Sequence, residues 1–270
     1  MMGETAKNCD WAEYNHVLGK NSLSVLCINM RSIVNKFTEL DSHLRLLKNK
    51  ISFILVTETW LTPRNDYNFE LSGYKSVSIY RDGRGGGLKL FYLKHLCISV
   101  LENFTKTSGP FESILVRTHV QGFGKLVIGG FYRPPSNSIS EFLTEFDVML
   151  GTFGSDRIIF VGDFNINTLA DGHDAQDYID LYSSYGFVNG INAPTYISPS
   201  TNIPSSCLDH ILYNLPISCQ SFVIHPNLAD HFAVSSIFNH SIDEPPLILK
   251  FRDFSSENIQ NFTDNLEFRP

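Results

Sequence analysis

Arg157-Ile158-Ile159-Phe160-Val161-Gly162-Asp163-Phe164-Asn165 is a short apolar run that ends in a glycine, an acid and an amide. A run this short, rich in β-branched and aromatic residues, reads as a strand buried on both faces. If the chain stays extended, alternation puts residues 163 and 165 on the same side. A carboxylate and an amide would then stand together where a buried strand surfaces. Two other runs share this form. Residues 24–29 (SVLCIN) end on the amide of Asn29, and residues 51–56 (ISFILV) end at Thr57-Glu58-Thr59-Trp60.

Around these runs the periodicity changes. Phe37, Leu40, Leu44 and Leu47 recur at helical spacing. Residues 74–80 and 88–92 read as strands flanking Gly83 and Gly85–Gly87. Residues 111–118 and 125–132 make another pair about a turn at 121–124. Arg133-Pro134-Pro135 ends the second of these. Ser138 with Glu141 has capping-box form and opens a helix marked by Ile139, Phe142, Phe146 and Met149. Residues 174–185 predict a further helix, residues 192–206 a polar loop, and residues 207–213, 220–224 and 232–238 the last strands. Many short strands with few helices do not match regular βα alternation. They predict an α/β four-layer sandwich: two mostly antiparallel sheets packed face to face, helices outside. Residues 1–20 read as a flexible leader, 21–240 as the domain, and 241–270, with Pro245-Pro246, as a linker or tail.

The 270 residues suffice for one sizeable core, with 43% hydrophobic and 18% charged residues. Five cysteines at 9, 27, 97, 207 and 219 include no Cys-x-x-Cys, which argues against a zinc site or a disulfide framework. With no apolar signal core and no run of membrane-spanning length, the expectation is an intracellular protein, nuclear or cytoplasmic, with no membrane partner. The Asn-x-Ser/Thr sequons at Asn103, Asn239 and Asn261 then read as chance matches. A net charge of −7 disfavours non-specific nucleic-acid binding. A divalent cation held by the carboxylates would restore positive charge where a phosphate docks.

Asn29, Glu58, Tyr132, Asp163, Asn165, Asp209, Asp230 and His231 all fall at or near the ends of buried runs. Taken singly, each has an ordinary explanation, since Asn and Asp end strands by forming turns. Together they are what phosphodiester hydrolysis needs. Glu58 is placed to hold a hard cation, which would polarise a phosphoryl oxygen. Asp163 is the candidate for orienting or deprotonating water. Asn29, Asn165 and Tyr132 are donors for developing charge. His231, held by Asp209, can donate to phosphate oxygens. The Gly83–Gly87 stretch lacks the Gly-Lys-Ser/Thr ending of a nucleotide loop and reads as a glycine-rich hairpin.

Asn29-Met30-Arg31-Ser32, Glu58-Thr59-Trp60-Leu61, Gly85-Gly86-Gly87, Tyr132-Arg133-Pro134-Pro135, Gly162-Asp163-Phe164-Asn165, Pro194-Thr195, Leu208-Asp209-His210 and Asp230-His231 follow one another along residues 22–240. In this order they resemble the endonuclease/exonuclease/phosphatase superfamily. Glu-Thr-Trp-Leu, Gly-Gly-Gly and Tyr-Arg-Pro-Pro resemble in particular the endonuclease domains of non-LTR, LINE-type retrotransposons. The resemblance implies an Mg2+-dependent DNA endonuclease, with Mn2+ able to substitute. It would nick DNA to leave a 3′-hydroxyl that primes reverse transcription, act as a monomer and precede a reverse transcriptase domain. Asn29, Glu58 and Asp230 would lie at the metal, Asp209 would orient His231, and Arg31, Arg133, Thr195 and Tyr196 would border the DNA. The alternatives are an inactive DNA-binding remnant, or a phosphatase or AP endonuclease of the same superfamily. Two positions depart from the resemblance. Ala229 stands where a serine often precedes Asp-His, a loss on the order of 1 kcal/mol, and Tyr196 stands where an arginine often follows Pro-Thr. The loop of residues 197–206 is expected to probe the DNA groove.

Overall fold

The computed structural model describes residues 5–20, 22–83, 85–153, 156–225 and 228–239. The proposed tail 241–270 lies outside them. The chain begins with β1 (Lys7–Cys9), α1 (Trp11–Val17), β2 (Leu23–Asn29), α2 (Phe37–Leu46) and β3 (Phe53–Thr57). β4 (Tyr74–Ile79), β5 (Leu88–Leu93), β6 (Ile98–Val100), β7 (Glu112–Val120) and β8 (Gly124–Tyr132) follow. Next come α3 (Ile139–Thr152), β9 (Ile158–Asp163), α4 (His173–Ser184), β10 (Val188–Asn189), β11 (Tyr196–Ile197) and β12 (Pro204–Ser206). β13 (Asp209–Tyr213), β14 (Ser218–Ile224) and β15 (Ala233–Asn239) complete it.

Seven strands form one sheet, in the order β1-β14-β15-β2-β3-β5-β4, and six form a second, β10-β13-β9-β8-β7-β6. β1–β14, β2–β3 and β8–β9 pair in parallel and the other pairs are antiparallel. Val25, Cys27, Leu55 and Leu90 of the first sheet meet Ile114, Ile128, Val161 and Ile211 of the second in one apolar core. The opposite face of the first sheet packs Leu26, Ile54 and Phe91 against Trp11 and Tyr14 of α1 and Leu40 of α2. The outer face of the second packs Phe131 and Phe160 against Phe142 and Phe146 of α3 and Tyr178 of α4. This is the expected four-layer sandwich. β2 and β9 are buried on both faces, which is why their sequences are continuous apolar runs instead of alternating ones.

The amino-terminal segment differs from the expected leader. Asp10 caps α1 by accepting from Glu13 N at 2.8 Å, and Glu13 Oε2 accepts from Asp10 N at 3.1 Å. The cap points Trp11 and Tyr14 inward, and the Tyr14 hydroxyl meets Ser235 Oγ at 2.7 Å. β1 adds a parallel strand beside β14. Residues 6–18 therefore belong to the domain. The polar loop at 192–206 likewise contains a small hairpin, β11–β12.

Candidate active site

Strand register assembles the site. Glu112, Tyr132, Asp163 and Asp209 are direct cross-strand partners on β7, β8, β9 and β13. Residues in one such row share a face of the sheet. Their neighbours two positions inward, Ile114, Val161 and Ile211, belong to the core between the sheets. The four polar side chains therefore face the first sheet at the end of that core. Opposite them stand Asn29, the last residue of β2, and Glu58, the first beyond β3.

The two N–H bonds of Asn29 Nδ2 reach Glu58 Oε1 and Asp163 Oδ2, both at 2.8 Å, so one amide ties the two sheets' acids together. Trp60 Nε1 donates to Glu58 Oε2 at 3.2 Å, and Asn165 N donates to Asp163 Oδ1 at 3.0 Å. Asp209 Oδ2 accepts from His231 Nδ1 and from the Thr195 hydroxyl, each at 2.8 Å. Asp163, Asp209 and His231 are buried, and their ligand-type atoms all lie within 4.8 Å of one another. Burial and the Asp209 charge hold the Asp163 carboxyl well above the usual carboxylate range, against the opposing pull of His231, Asn29 and Asn165. Burial alone would lower His231. The Asp209 charge and hydrogen bond, with Asp163 and Asp230, overcome it and raise the imidazole to about 9. Tyr132 is raised as well, by burial and then by Glu58 and Asp163, so its phenol is a donor at neutral pH.

The backbone around this cluster is unusual. Arg31, Ser32, Glu58, Trp60 and Asn165 have φ of 42°, 85°, 50°, 55° and 50°. Left-handed conformations at non-glycine residues cost on the order of 1–3 kcal/mol each and persist where neighbours over-determine them. Here Ser32 N and Ile33 N bond to Glu58 O and Thr59 O, while Thr59 N and Trp60 N bond to Gly87 O and Gly86 O. Gly87, at φ +82°, lets the last of these strands in, because a Cβ there would stand 2.7 Å from Thr59 Oγ1.

The structure brings Asn29, Glu58, Tyr132, Asp163, Asn165, Asp209 and His231 together. Asp230 lies at the rim, ion-paired with the half-exposed Arg31. Tyr196 packs its ring 4.9 Å from the His231 ring. Two expectations for the DNA border need correction. Arg133 is 2% exposed, and its guanidinium donates to the carbonyls of Phe164 (2.7 Å), Pro134 (3.2 Å), Asn137 (2.6 Å) and Asn165 (2.6 Å). It is an internal strut for the Asp163–Asn165 turn and faces no solvent. Thr195 is fully buried. Its Oγ1 accepts from Leu208 N and Asp209 N at 3.0 and 3.1 Å while donating to Asp209. It positions Asp209 and has no exposed surface for DNA.

Three residues of the site escape sequence reasoning. Trp60 holds Glu58. Glu112, 1% exposed, accepts from Gly87 N at 2.7 Å and pairs with Arg81 Nε at 2.6 Å. For Glu112 the signal fell one residue short, because reading outward from a turn at 121–124 pairs it with Arg133, whereas the hairpin closes Val120 on Gly124 and sets Glu112 across from Tyr132. Nothing in the sequence marked Arg81.

The donor set suits a hard divalent cation. Three carboxylates, Glu58, Asp163 and Asp209, converge with the amides of Asn29 and Asn165 and with Asp230 at the rim, and Asp209 Oδ1 and Asp230 Oδ1 are buried without a hydrogen-bond partner. Such orphaned oxygens are costly unless a cation or water meets them. Among the described residues the tightest carboxylate–imidazole cluster is Asp163, Asp209 and His231, and the Asn29 amide joins Glu58 to Asp163.

The profile of the Endonuclease/Exonuclease/phosphatase family matches residues 27–236. A sequence comparison with curated proteins gives no match. Among solved structures, the endonuclease domain of TRAS1, a telomere-specific non-LTR retrotransposon, superposes with a TM-score of 0.63 at 15% identity, covering 82% of this chain and 100% of that one. The AP endonuclease LMAP of Leishmania major gives 0.67 at 12% identity over 88% and 93% of the two chains. The mannosyl-6-phosphatase Bt3783 of Bacteroides thetaiotaomicron gives 0.59 at 14% identity over 81% and 100%. At these identities the superpositions speak for the fold. Among the described residues no helix is long and apolar enough to cross a membrane. With its family profile spanning both sheets and every strand that carries the acid–amide–imidazole cluster, this chain belongs to the endonuclease/exonuclease/phosphatase family.

Proposed function

We propose that this chain is a Mg2+-dependent DNA endonuclease of the non-LTR retrotransposon type, with Mn2+ able to substitute. The observation that carries the reading is the Asn29 amide, which bonds Glu58 and Asp163 across the two sheets opposite the His231–Asp209 pair. Glu58 and Asn29, with Asp230 at the rim, would hold the cation. When bound, it supplies a Lewis acid for a phosphoryl oxygen and the leaving group. Asp163 orients the attacking water and accepts its proton, a role favoured by a carboxyl raised towards neutrality. His231 is protonated at neutral pH. Its Nδ1 is committed to Asp209, so Nε2 is the nitrogen left to donate to a phosphate oxygen. The Tyr132 phenol and the second N–H of Asn165 add donors for charge on the phosphoryl group. Water attacks phosphorus in line and gives its proton to Asp163, the bond to the 3′ oxygen breaks, and that oxygen takes a proton from solvent to become a 3′-hydroxyl opposite a 5′-phosphate.

In this reading the protein works as a monomer in the nucleus or cytoplasm, and its nick primes a reverse transcriptase domain carried by the same polyprotein. The motifs Glu58-Thr59-Trp60-Leu61, Gly85-Gly86-Gly87 and Tyr132-Arg133-Pro134-Pro135 support this assignment over a phosphatase. The test is the chemistry of the nick. Nicked plasmid is offered to a DNA polymerase with labelled nucleotide. Incorporation without prior phosphatase treatment supports the reading. Incorporation only after removal of a 3′-phosphate would overturn it. Cleavage confined to abasic duplex, or phosphate release with no nicking, would favour the other activities.

A further inference from the structure

We propose that Arg81 binds a DNA backbone phosphate beside Tyr132, with the buried Glu112 carboxylate as its fixed anchor. The inference rests on the nuclease reading above. Correcting Arg133 leaves this side of the site without its expected cation, and Arg81 supplies one. Glu112 stands directly across from Tyr132 in the sheet, and its carboxylate is 1% exposed. One oxygen accepts the Gly87 amide and the other meets Arg81 Nε at 2.6 Å. The guanidinium carbon then lies 5.9 Å from the centre of the Tyr132 ring. Gly86 makes the room. A Cβ there would stand 2.4 Å from Glu112 Oε1 and 2.8 Å from Arg81 Nε.

Burying a carboxylate is costly, and an ion pair such as this contributes little to stability over an apolar replacement. What it does provide is a guanidinium fixed in place. Only Nε is used by Glu112, so the rest of the fork can meet a phosphate bidentately. The Arg81 side chain is 28% exposed, enough to be reached. It stands against the ring of the residue assigned to the phosphate, in a chain whose net charge of −7 repels DNA elsewhere. Arg31, on Asp230, supplies a second cation at the other rim.

The experiment reads the salt dependence of duplex binding, with Asp163→Asn in every protein to stop turnover. Each phosphate contact contributes about 0.9 to the slope of log affinity against log salt. Arg81→Gln, and Arg81→Met, which keeps the stem on Tyr132, are each expected to lower the slope by about 0.9. Arg81→Lys should restore it. Thermal melts confirm that each variant is folded, and two neutral variants guard against the loss of one. An unchanged slope in a folded neutral variant overturns the inference while leaving the nuclease reading intact. If the Asp163→Asn parent shows no salt-dependent binding, the nuclease reading fails and the role of Arg81 falls with it.

Discussion

Replacing Arg133 by methionine removes a buried guanidinium that donates to four carbonyls, while its thioether fills much of the space of the stem. Of the four bonds, those to Phe164 O and Pro134 O are buried, and those to Asn137 O and Asn165 O are partly open to water. Hydrogen bonds from a charged donor contribute about 1.5–3 kcal/mol each. Losing the two that water cannot replace costs roughly 3–6 kcal/mol. For a domain of this size about 2–4 °C of Tm accompanies each kcal/mol, so the expected drop is on the order of 10 °C. Nicking should fall too, because the lost guanidinium holds Asn165 O at 2.6 Å, while the Asn165 Nδ2 bond to the Arg133 carbonyl at 2.8 Å remains. The salt slope of DNA binding should not change, because Arg133 reaches no phosphate. Differential scanning fluorimetry and binding titrations from low to moderate salt measure both. An unchanged Tm with a slope lower by about 0.9 would refute this reasoning and return Arg133 to the DNA surface.

Other consequences follow from single contacts. His210 is buried between Phe164 and Tyr178, with Nε2 donating to Cys207 O, and burial lowers it to about 4. Because the unfolded imidazole titrates near 6.5, the unfolded state binds the extra proton between those values. Stability is therefore full above about pH 6.5 and falls by roughly 2 kcal/mol from pH 7 to pH 5. Urea midpoints should show that loss shrinking in His210→Phe, and an identical loss in the variant would exclude His210 as its source. Thr195→Val strips Asp209 of a hydroxyl, so kcat should fall about tenfold with KM for DNA unchanged; a change confined to KM would mark Thr195 as a DNA contact instead. Replacing residues 197–206 by a Gly-Ser loop should redistribute nick positions on a mapped plasmid while cleavage continues. An unaltered pattern would make the hairpin a plain surface loop.

Much of the fold was legible because buried strands announce themselves. The runs at Asn29, Glu58 and Asp163 are apolar on both faces, and each ends where polar chemistry becomes possible. The site acids could be gathered on one rim before any coordinates, since strand ends in packed sheets converge. What the sequence hides is direction. Arg133 and Arg81 are both arginines near turns, yet one folds back onto carbonyls and the other stands beside Tyr132. Only the register of β7 on β8 and the left-handed turn at Asn165 separate them. Thr195 is similar: its hydroxyl points at Asp209 because the hairpin returns through Thr195 N and Ser206 O. The first helix was missed because its seven residues are too few for periodicity to stand out. Its Asp10–Glu13 box and inward Trp11 and Tyr14 were nonetheless readable.

The central claim, that Asp163 activates water for cation-dependent hydrolysis of a DNA phosphodiester, is tested most directly by nicking of supercoiled plasmid. Purified protein is incubated with Mg2+, with Mg2+ plus EDTA, and as Asp163→Ala with Mg2+, and the open-circular product is followed in time. The account predicts nicking by the unaltered protein with Mg2+, none above background with EDTA, and a loss of at least about a hundredfold in Asp163→Ala. Equal nicking by Asp163→Ala, or none by the unaltered protein under any divalent cation, would contradict it.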